Sequence, residues 1–276
     1  MFTKQLKSSV LHITGHDHYL ALGLRKKKSI VTIHDIEFIK RTNGFKKFIL
    51  KKLWMDWPIN CVDMVTTVSE FSKSEIMSLN NYKTPIHVIH NPLTLKLEKK
   101  EKKFDSECPN ILHVGTKSNK NLPRLIEALN GITCQLTIIG KPTDELNRLL
   151  KSNNINHTFK SGLNNEEMII EYEKCDLLAF VSTYEGFGLP IIEAQAVGRA
   201  VITSNTASMP EIASNSALLV SPFNVDEIRK GIVSLIDDEK LREHYIQLGF
   251  ANVNRFKPNE IAKQYEKLYL SLINDK

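Results

Sequence analysis

Two short segments of the 276-residue chain carry residue types suited to holding an anionic ligand. The first, residues 115–121, reads Gly-Thr-Lys-Ser-Asn-Lys-Asn. Gly115 lets the backbone turn tightly beside a ligand, and Lys117 and Lys120 add ammonium charge where the N–H groups of a following helix begin, a combination that attracts a diphosphate. Loop lysines are more often simply solvated, and the segment matches neither GxGxxG nor GxxxxGK(S/T), which argues against a dinucleotide fingerprint and a P-loop. The second, residues 182–194, reads Ser-Thr-Tyr-Glu-Gly-Phe-Gly-Leu-Pro-Ile-Ile-Glu-Ala. Gly186 and Gly188 permit close approach of backbone to ligand, and the helix expected after Pro190 presents free N–H groups to the same space. Glu185 and Glu193 lie eight positions apart, so they reach one ligand only if the turn doubles the chain back. Carboxylates there can accept paired hydrogen bonds from sugar or ribose hydroxyls. The plain alternative makes Glu185 a turn residue and Glu193 an acid on a helix surface.

The elements that must position these residues are legible as alternation. Apolar, largely β-branched runs at 111–114, 136–139, 157–159, 177–181, 201–203 and 217–220 predict strands, and helical patterns at 122–129, 166–174, 191–197, 226–236 and 260–273 follow most of them. Strands separated by single helices make parallel right-handed units. Residues 109–276 are therefore expected to form a doubly wound α/β sheet with its ligand at the carboxyl ends of the strands. Earlier in the chain, runs at 10–13, 29–33, 61–68 and 86–89 predict further α/β units, a compact stretch compatible with a helix at 19–24 lies among them, and Ser69 is placed to cap a helix starting near Glu70. The charged composition of residues 96–108 marks an interdomain linker, which divides the chain into 1–95, 96–108 and 109–276.

Composition narrows the classes further. No apolar run approaches the roughly 18 residues of a membrane span, and the first residues lack the apolar core of a signal peptide, so a cytoplasmic location is expected. Cys61, Cys108, Cys134 and Cys175 are far apart, without zinc-like spacing, and read as reduced and structural. The net charge of +6 is uneven, since residues 1–110 hold 19 basic against 11 acidic side chains. Lysines 26–28, Lys40-Arg41, Lys46-Lys47 and Lys51-Lys52 concentrate it, the last two pairs interleaved with Phe45, Phe48, Ile49, Leu50, Leu53 and Trp54. That pattern fits a helix with its basic side on an anionic membrane surface, at the inner face, or equally a solvated lysine face on a core-packed helix. No nucleic-acid motif accompanies the charge.

The ordered set Ser182, Glu185-Gly-Phe-Gly-Leu-Pro, Glu193-Ala, Gly198, Val201-Ile and Pro210-Glu211-Ile resembles the retaining glycosyltransferases of family 4, which have the GT-B fold. The resemblance implies two Rossmann-like domains, an N-terminal acceptor-side one and a C-terminal nucleotide-sugar-binding one. It implies transfer of a sugar from a nucleotide diphosphate sugar to a glycan or lipid-linked acceptor, with no metal cofactor. By that resemblance Glu185 lies near the transferred sugar, Glu193 binds the ribose, and Lys117 and Lys120 hold the diphosphate. Gly115, Ser182, Gly186, Phe187, Gly188 and Leu189 complete the donor site, and His34 reaches the sugar. Lys117 stands where many relatives have arginine, and Asn121 follows Lys120 where glycine is common. The match begins partway through the family's N-terminal domain, which is expected to be incomplete, because two ordinary domains need about 300 to 400 residues. A partner protein completing that domain, a non-catalytic nucleotide-sugar or glycan-binding subunit and a nucleotide-sugar epimerase are the alternatives.

Overall fold

The computed structural model describes residues 10–24 and 27–274; Lys26 of the lysine triplet and the early Lys4 and Lys7 lie outside the described residues. Two compact units divide the chain, one made of Met1–Pro92 and Pro258–Lys276, the other of Leu93–Lys257.

The first unit is built on four parallel strands, β1 (Leu11–Ile13), β2 (Ser29–Ile33), β3 (Met64–Thr67) and β4 (Ile86–Val88), in the spatial order β1-β2-β3-β4. Strand β2, Ser-Ile-Val-Thr-Ile, is buried along its whole length, as a parallel strand covered on both faces must be. One face packs Val31, Ile33 and Val65 against Ile39, Met55, Ile59 and Ile76. On the other, Ile30 and Ile89 meet Ile261, Leu268 and Leu272 of the helix Pro258–Asn274. That helix is expected from the sequence in the second domain, and it groups instead with the first. Its apolar period announces a buried stripe but not the sheet that buries it. Polar ties fix the choice: His12 bridges the Tyr269 hydroxyl and Thr32 Oγ1, each at 2.7 Å. Lys28 Nζ donates to the carbonyls of Leu272 and Ile273 at 2.6 and 2.9 Å, closing the helix's negative end.

The basic, aromatic stretch forms the helix Gly44–Lys51, a π-helical turn Lys52–Asp56 and the helix Trp57–Cys61. Helix Gly44–Lys51 buries none of its residues. Lys51 and Lys52 are drawn to Asp56, at 2.7 and 3.2 Å, and the Tyr82 hydroxyl donates to the same carboxylate. Of the two lysine pairs, then, the second shares one carboxylate and is partly neutralised.

The second unit carries six parallel strands: β5 (Asn110–Val114), β6 (Gln135–Ile139), β7 (Asn156–Lys160), β8 (Leu177–Phe180), β9 (Ala200–Ser204) and β10 (Leu218–Val220), ordered β10-β9-β8-β5-β6-β7. Chain order reverses between β5 and β8, which pair through Ile111 with Leu177 and Leu112 with Leu178. This is the doubly wound arrangement, whose topological switch point opens a crevice at the strands' carboxyl ends. Residues 96–108, expected to be a linker, contain no helix or strand and lie on this unit. Lys102 pairs with Asp176, the Arg242 guanidinium sits 3.8 Å from the Phe104 ring centroid, and Arg199 donates to the Lys100 carbonyl at 2.9 Å. Helices Asp144–Ser152, Met209–Ala213 and Glu239–Val253 were not among the expected elements. The last fully buries only Arg242, Gly249 and Asn252, and its apolar side chains Leu241, Tyr245 and Ile246 pack half-buried against the core.

Candidate functional site

The two segments singled out by residue type follow β5 and β8, the strands that flank the switch point. In the first, Gly115 adopts φ +102°, and a Cβ there would lie 2.7 Å from Lys120 Cγ and 2.8 Å from Cε. Glycine is needed for the backbone angle and for the lysine stem that crosses over it. The chain then makes a 3₁₀ turn, Ser118–Lys120, and enters the helix Leu122–Leu129 through Asn121 at φ +61°. Asparagine is among the few side chains that tolerate this left-handed angle.

The two loops are bonded together. Thr183 N donates to Asn119 O at 2.7 Å, and Asn119 Nδ2 to Tyr184 O at 3.0 Å. Asn121 Nδ2 donates to Val181 O and Pro222 O at 3.0 and 2.7 Å, tying in the segment after β10. Lys120 Nζ meets Glu185 Oε1 at 2.7 Å, with both side chains largely shielded, and also lies 5.0 Å from the Phe180 ring centroid. Lys117, by contrast, is exposed and makes no ion pair among the described residues. Ser208 Oγ donates to the carbonyls of Glu185 and Phe187 at 2.9 and 2.6 Å, which fixes the turn bearing Gly186. Ser182 Oγ is buried without a hydrogen-bond partner, while its carbonyl accepts from Ser204 Oγ at 2.6 Å.

Gly188, at φ +115°, starts the helix Leu189–Ala196. No side chain caps this end and no acid lies in its first turn, so its positive pole is not neutralised from within. Glu193 is 8% exposed, which excludes the surface-acid alternative. Its Oε2 accepts from the Tyr172 hydroxyl at 2.6 Å. Burial pushes the Glu193 carboxyl above its usual range, and the Tyr172 hydrogen bond opposes that rise. Tyr172 is itself pushed well above the ordinary phenol range by burial and then by the carboxylate's charge. On β5, His113 is fully buried, donates from its ring to Ala179 O at 2.9 Å, and has its pKa held down to about 4 chiefly by burial.

Gly115, Lys117, Lys120, Ser182, Glu185, Gly186, Phe187, Gly188, Leu189 and Glu193 all lie in the second unit, on the loops and helix that follow β5 and β8. His34 belongs to the other unit, past the end of β2, where its Nε2 donates to Thr14 O at 2.9 Å and its carbonyl accepts from Ser72 Oγ at 3.1 Å. Tyr172, Ser208 and Asn119 were not foreseen. Ser208 and Asn119 act on backbone carbonyls and leave no motif, and Tyr172 reads simply as an apolar position of the helix Asn165–Lys174. Among the described residues no group of three or more His, Cys, Asp or Glu is placed to hold a metal ion.

With this geometry in view, comparisons define the class. The family model described as Glycosyl transferases group 1 matches residues 96–251, and that described as Glycosyltransferase Family 4 matches residues 2–97. The chain belongs to the glycosyl transferases group 1 family. It is a glycosyltransferase of GT-B fold acting on a nucleotide-sugar donor, with a smaller N-terminal Rossmann-like domain of four strands and a C-terminal one of six. It is 25% identical over 282 residues to O-antigen chain mannosyltransferase B of Escherichia coli, covering 92% of this chain and 73% of that protein. Sucrose-phosphate synthase from Thermosynechococcus elongatus is similar in structure with a TM-score of 0.83 at 20% identity, over all of this chain and 76% of that one. Anabaena Alr3699/HepE in complex with UDP and glucose also gives a TM-score of 0.83, at 17% identity, over 95% of this chain and 78% of that one.

Proposed function

We propose that this chain is a retaining hexosyltransferase that moves a sugar from a nucleotide diphosphate sugar to a glycan or lipid-linked acceptor. The observation that carries the reading is the Lys120–Glu185 pair at the switch point, one cation and one carboxylate joining two glycine-bearing loops. In this reading Lys120 and the exposed Lys117 face the diphosphate, together with the Gly188 and Leu189 amides at the uncapped helix end. Gly115, Ser182, Gly186 and Phe187 shape the pocket by backbone approach and turn geometry, and Glu193 takes the ribose. Glu185 acts on the transferred sugar, and His34 is a separate candidate on the first unit. The lysines and helix pole stabilise charge developing on the departing diphosphate, and the acceptor hydroxyl attacks from the same face and passes its proton to the leaving group. O-antigen chain mannosyltransferase B is a relative whose name points to a mannosyl donor.

A screen of the purified chain against UDP-, GDP-, ADP- and TDP-sugars, by calorimetry and by transfer to lipid and glycan extracts, tests this. Binding of one nucleoside diphosphate, weakened by about 1 to 3 kcal/mol in Glu193→Gln, and a product of unchanged anomeric configuration by NMR are expected. Equal affinity in Glu193→Gln and the parent, or an inverted product, overturns the corresponding assignment.

A second, peripheral reading concerns the acceptor side. Phe45, Phe48 and Trp57 are 76%, 56% and 50% exposed, beside Lys46 and Lys47. An exposed aromatic face flanked by unneutralised lysines suits the interface of an anionic bilayer.

A further inference from the structure

Glu193 is the most deeply set of the charged groups assigned to the donor, and it is not alone in its pocket. The phenol that reaches it comes from the helix Asn165–Lys174, 21 positions earlier in the chain. Tyr172 is fully buried, packed in the same cluster as Phe180, Ile191 and Ala194, so its ring cannot swing away. Its helix is fixed at the start by a capping box, in which Asn164 accepts from Glu167 N at 2.9 Å and Glu167 accepts from Asn164 N at 2.8 Å. A rigid donor on a rigid helix thus occupies Oε2 of Glu193. No other hydrogen bond reaches this carboxylate among the described residues.

We propose that Tyr172 is a positioning residue for donor recognition: by holding Oε2 it sets the plane of the Glu193 carboxylate and leaves Oε1 as the single oxygen for a ribose hydroxyl. This rests on the assignment of Glu193 to the ribose. A carboxylate with both oxygens free can rotate to accept from either hydroxyl, whereas one held on a phenol accepts in a fixed direction and penalises a ligand that lacks the matching hydroxyl. Discrimination against deoxyribose is then a property of a residue that never touches the ligand.

The same contact governs acid sensitivity. A protonated Glu193 loses acceptor capacity, so binding fails as pH falls through its pKa. Burial raises that pKa and the Tyr172 hydroxyl lowers it. The titratable side chain that bonds the carboxylate is Tyr172, and Tyr172 in turn feels Cys175, whose thiol burial pushes up to about 12. Neither changes charge between pH 5 and 8, so removal of the Tyr172 hydroxyl moves the acid limb of binding upward.

The test measures calorimetric affinity of the full chain for UDP and GDP and for their 2′-deoxy and 3′-deoxy counterparts between pH 5 and 8, in the parent, Tyr172→Phe, Glu193→Gln and the double variant. Tyr172→Phe is expected to weaken the bound ribonucleotide about five- to thirtyfold, the scale of a hydrogen bond to a charged group. It should also narrow the ribose-to-deoxyribose ratio, move the acid midpoint upward, and have no effect once Glu193 is Gln. Equal weakening of all nucleotides with an unmoved midpoint makes Tyr172 a packing residue and overturns the proposal while Glu193 keeps its role. Unchanged binding in Glu193→Gln removes the ribose assignment and the proposal with it. Thermal unfolding of each variant, compared with the parent, separates loss of fold from loss of ligand.

Discussion

The two units are built from the same material, parallel strands with helical crossovers, yet among the described residues only the second has a topological switch point. In the first unit the strands run β1-β2-β3-β4 in sequence order, so successive crossovers progress in one direction across the sheet. In the second, order reverses between β5 and β8, and the loops leaving those strands part to opposite sides. On the segments that follow β5 and β8 the chain places Gly115 and Gly188 at positive φ, the Lys120–Glu185 pair and an uncapped helix end. The first unit spends its polar contacts differently. His12, Thr32 and Tyr269 join its sheet to the C-terminal helix, and Asp56 gathers Lys51, Lys52 and Tyr82. Residue types alone do not separate a binding unit from a supporting one; strand order decides which strand ends are free to hold a ligand.

The sharpest way to break this comparison is Glu185→Gln. Turnover of the nucleotide sugar should fall by about ten- to a thousandfold. Affinity for the free nucleoside diphosphate should hold or rise, because Lys120 is released from its 2.7 Å partner and an anion next to the diphosphate is removed. Turnover equal to the parent's rejects Glu185 as a catalytic residue, and a large loss of diphosphate affinity reassigns it to orienting Lys120.

A matched pair of glycines gives the next effect. Gly115→Ala places a Cβ against Lys120 at φ +102° and should cost nucleotide affinity about ten- to a hundredfold, of the order of strain at such an angle plus displacement of the lysine. Gly44→Ala also strains a positive φ, +61°, but meets open space; it should lower stability by about 1 to 2 kcal/mol and leave nucleotide binding alone. Calorimetry and urea titration of both variants check the contrast, and equal binding losses would contradict it.

The smallest expected change in stability sits on the exposed aromatic helix. Phe48→Ser should alter the unfolding free energy from urea titration by less than about 0.5 kcal/mol, as surface substitutions do, yet weaken salt-sensitive sedimentation with anionic vesicles. Equal vesicle binding by parent and variant, or equal binding to neutral lipid, argues against a membrane-facing role for this surface.

What the sequence made legible follows from range. Strands β2, β5, β8 and β9 announce themselves because each is a short β-branched or apolar run closed by a turn, and the two loops stand out by a glycine with two lysines in residues 115–121 and by two glycines with two carboxylates in residues 182–194. Partners distant in sequence stayed hidden. Neither the 65-residue separation of Lys120 from Glu185 nor the 21 residues between Tyr172 and Glu193 leaves a periodic trace. The helix Asp144–Ser152 was readable in principle, since Thr143 caps it and Leu146 and Leu150 mark its buried side. The helix Pro258–Asn274 was read as a helix, but its assignment depends on which sheet offers Ile30 and Ile89 to its stripe.

Asn121 carries a consequence for the heat of binding. One side chain, held at φ +61°, joins the ends of the segments after β5, β8 and β10 through Val181 O and Pro222 O, with Arg124 donating to its own oxygen at 2.9 Å. Because folding has already ordered these loops, a nucleotide entering between them does not have to restrict them further, and its association entropy reflects mainly the ligand's own lost freedom. Calorimetric heat-capacity changes should then scale with the surface of the nucleotide itself, without the larger negative value that accompanies ordering of a mobile chain segment. A glycine at this position would keep the backbone angle and release the clamp, moving part of the cost of ordering from folding to binding.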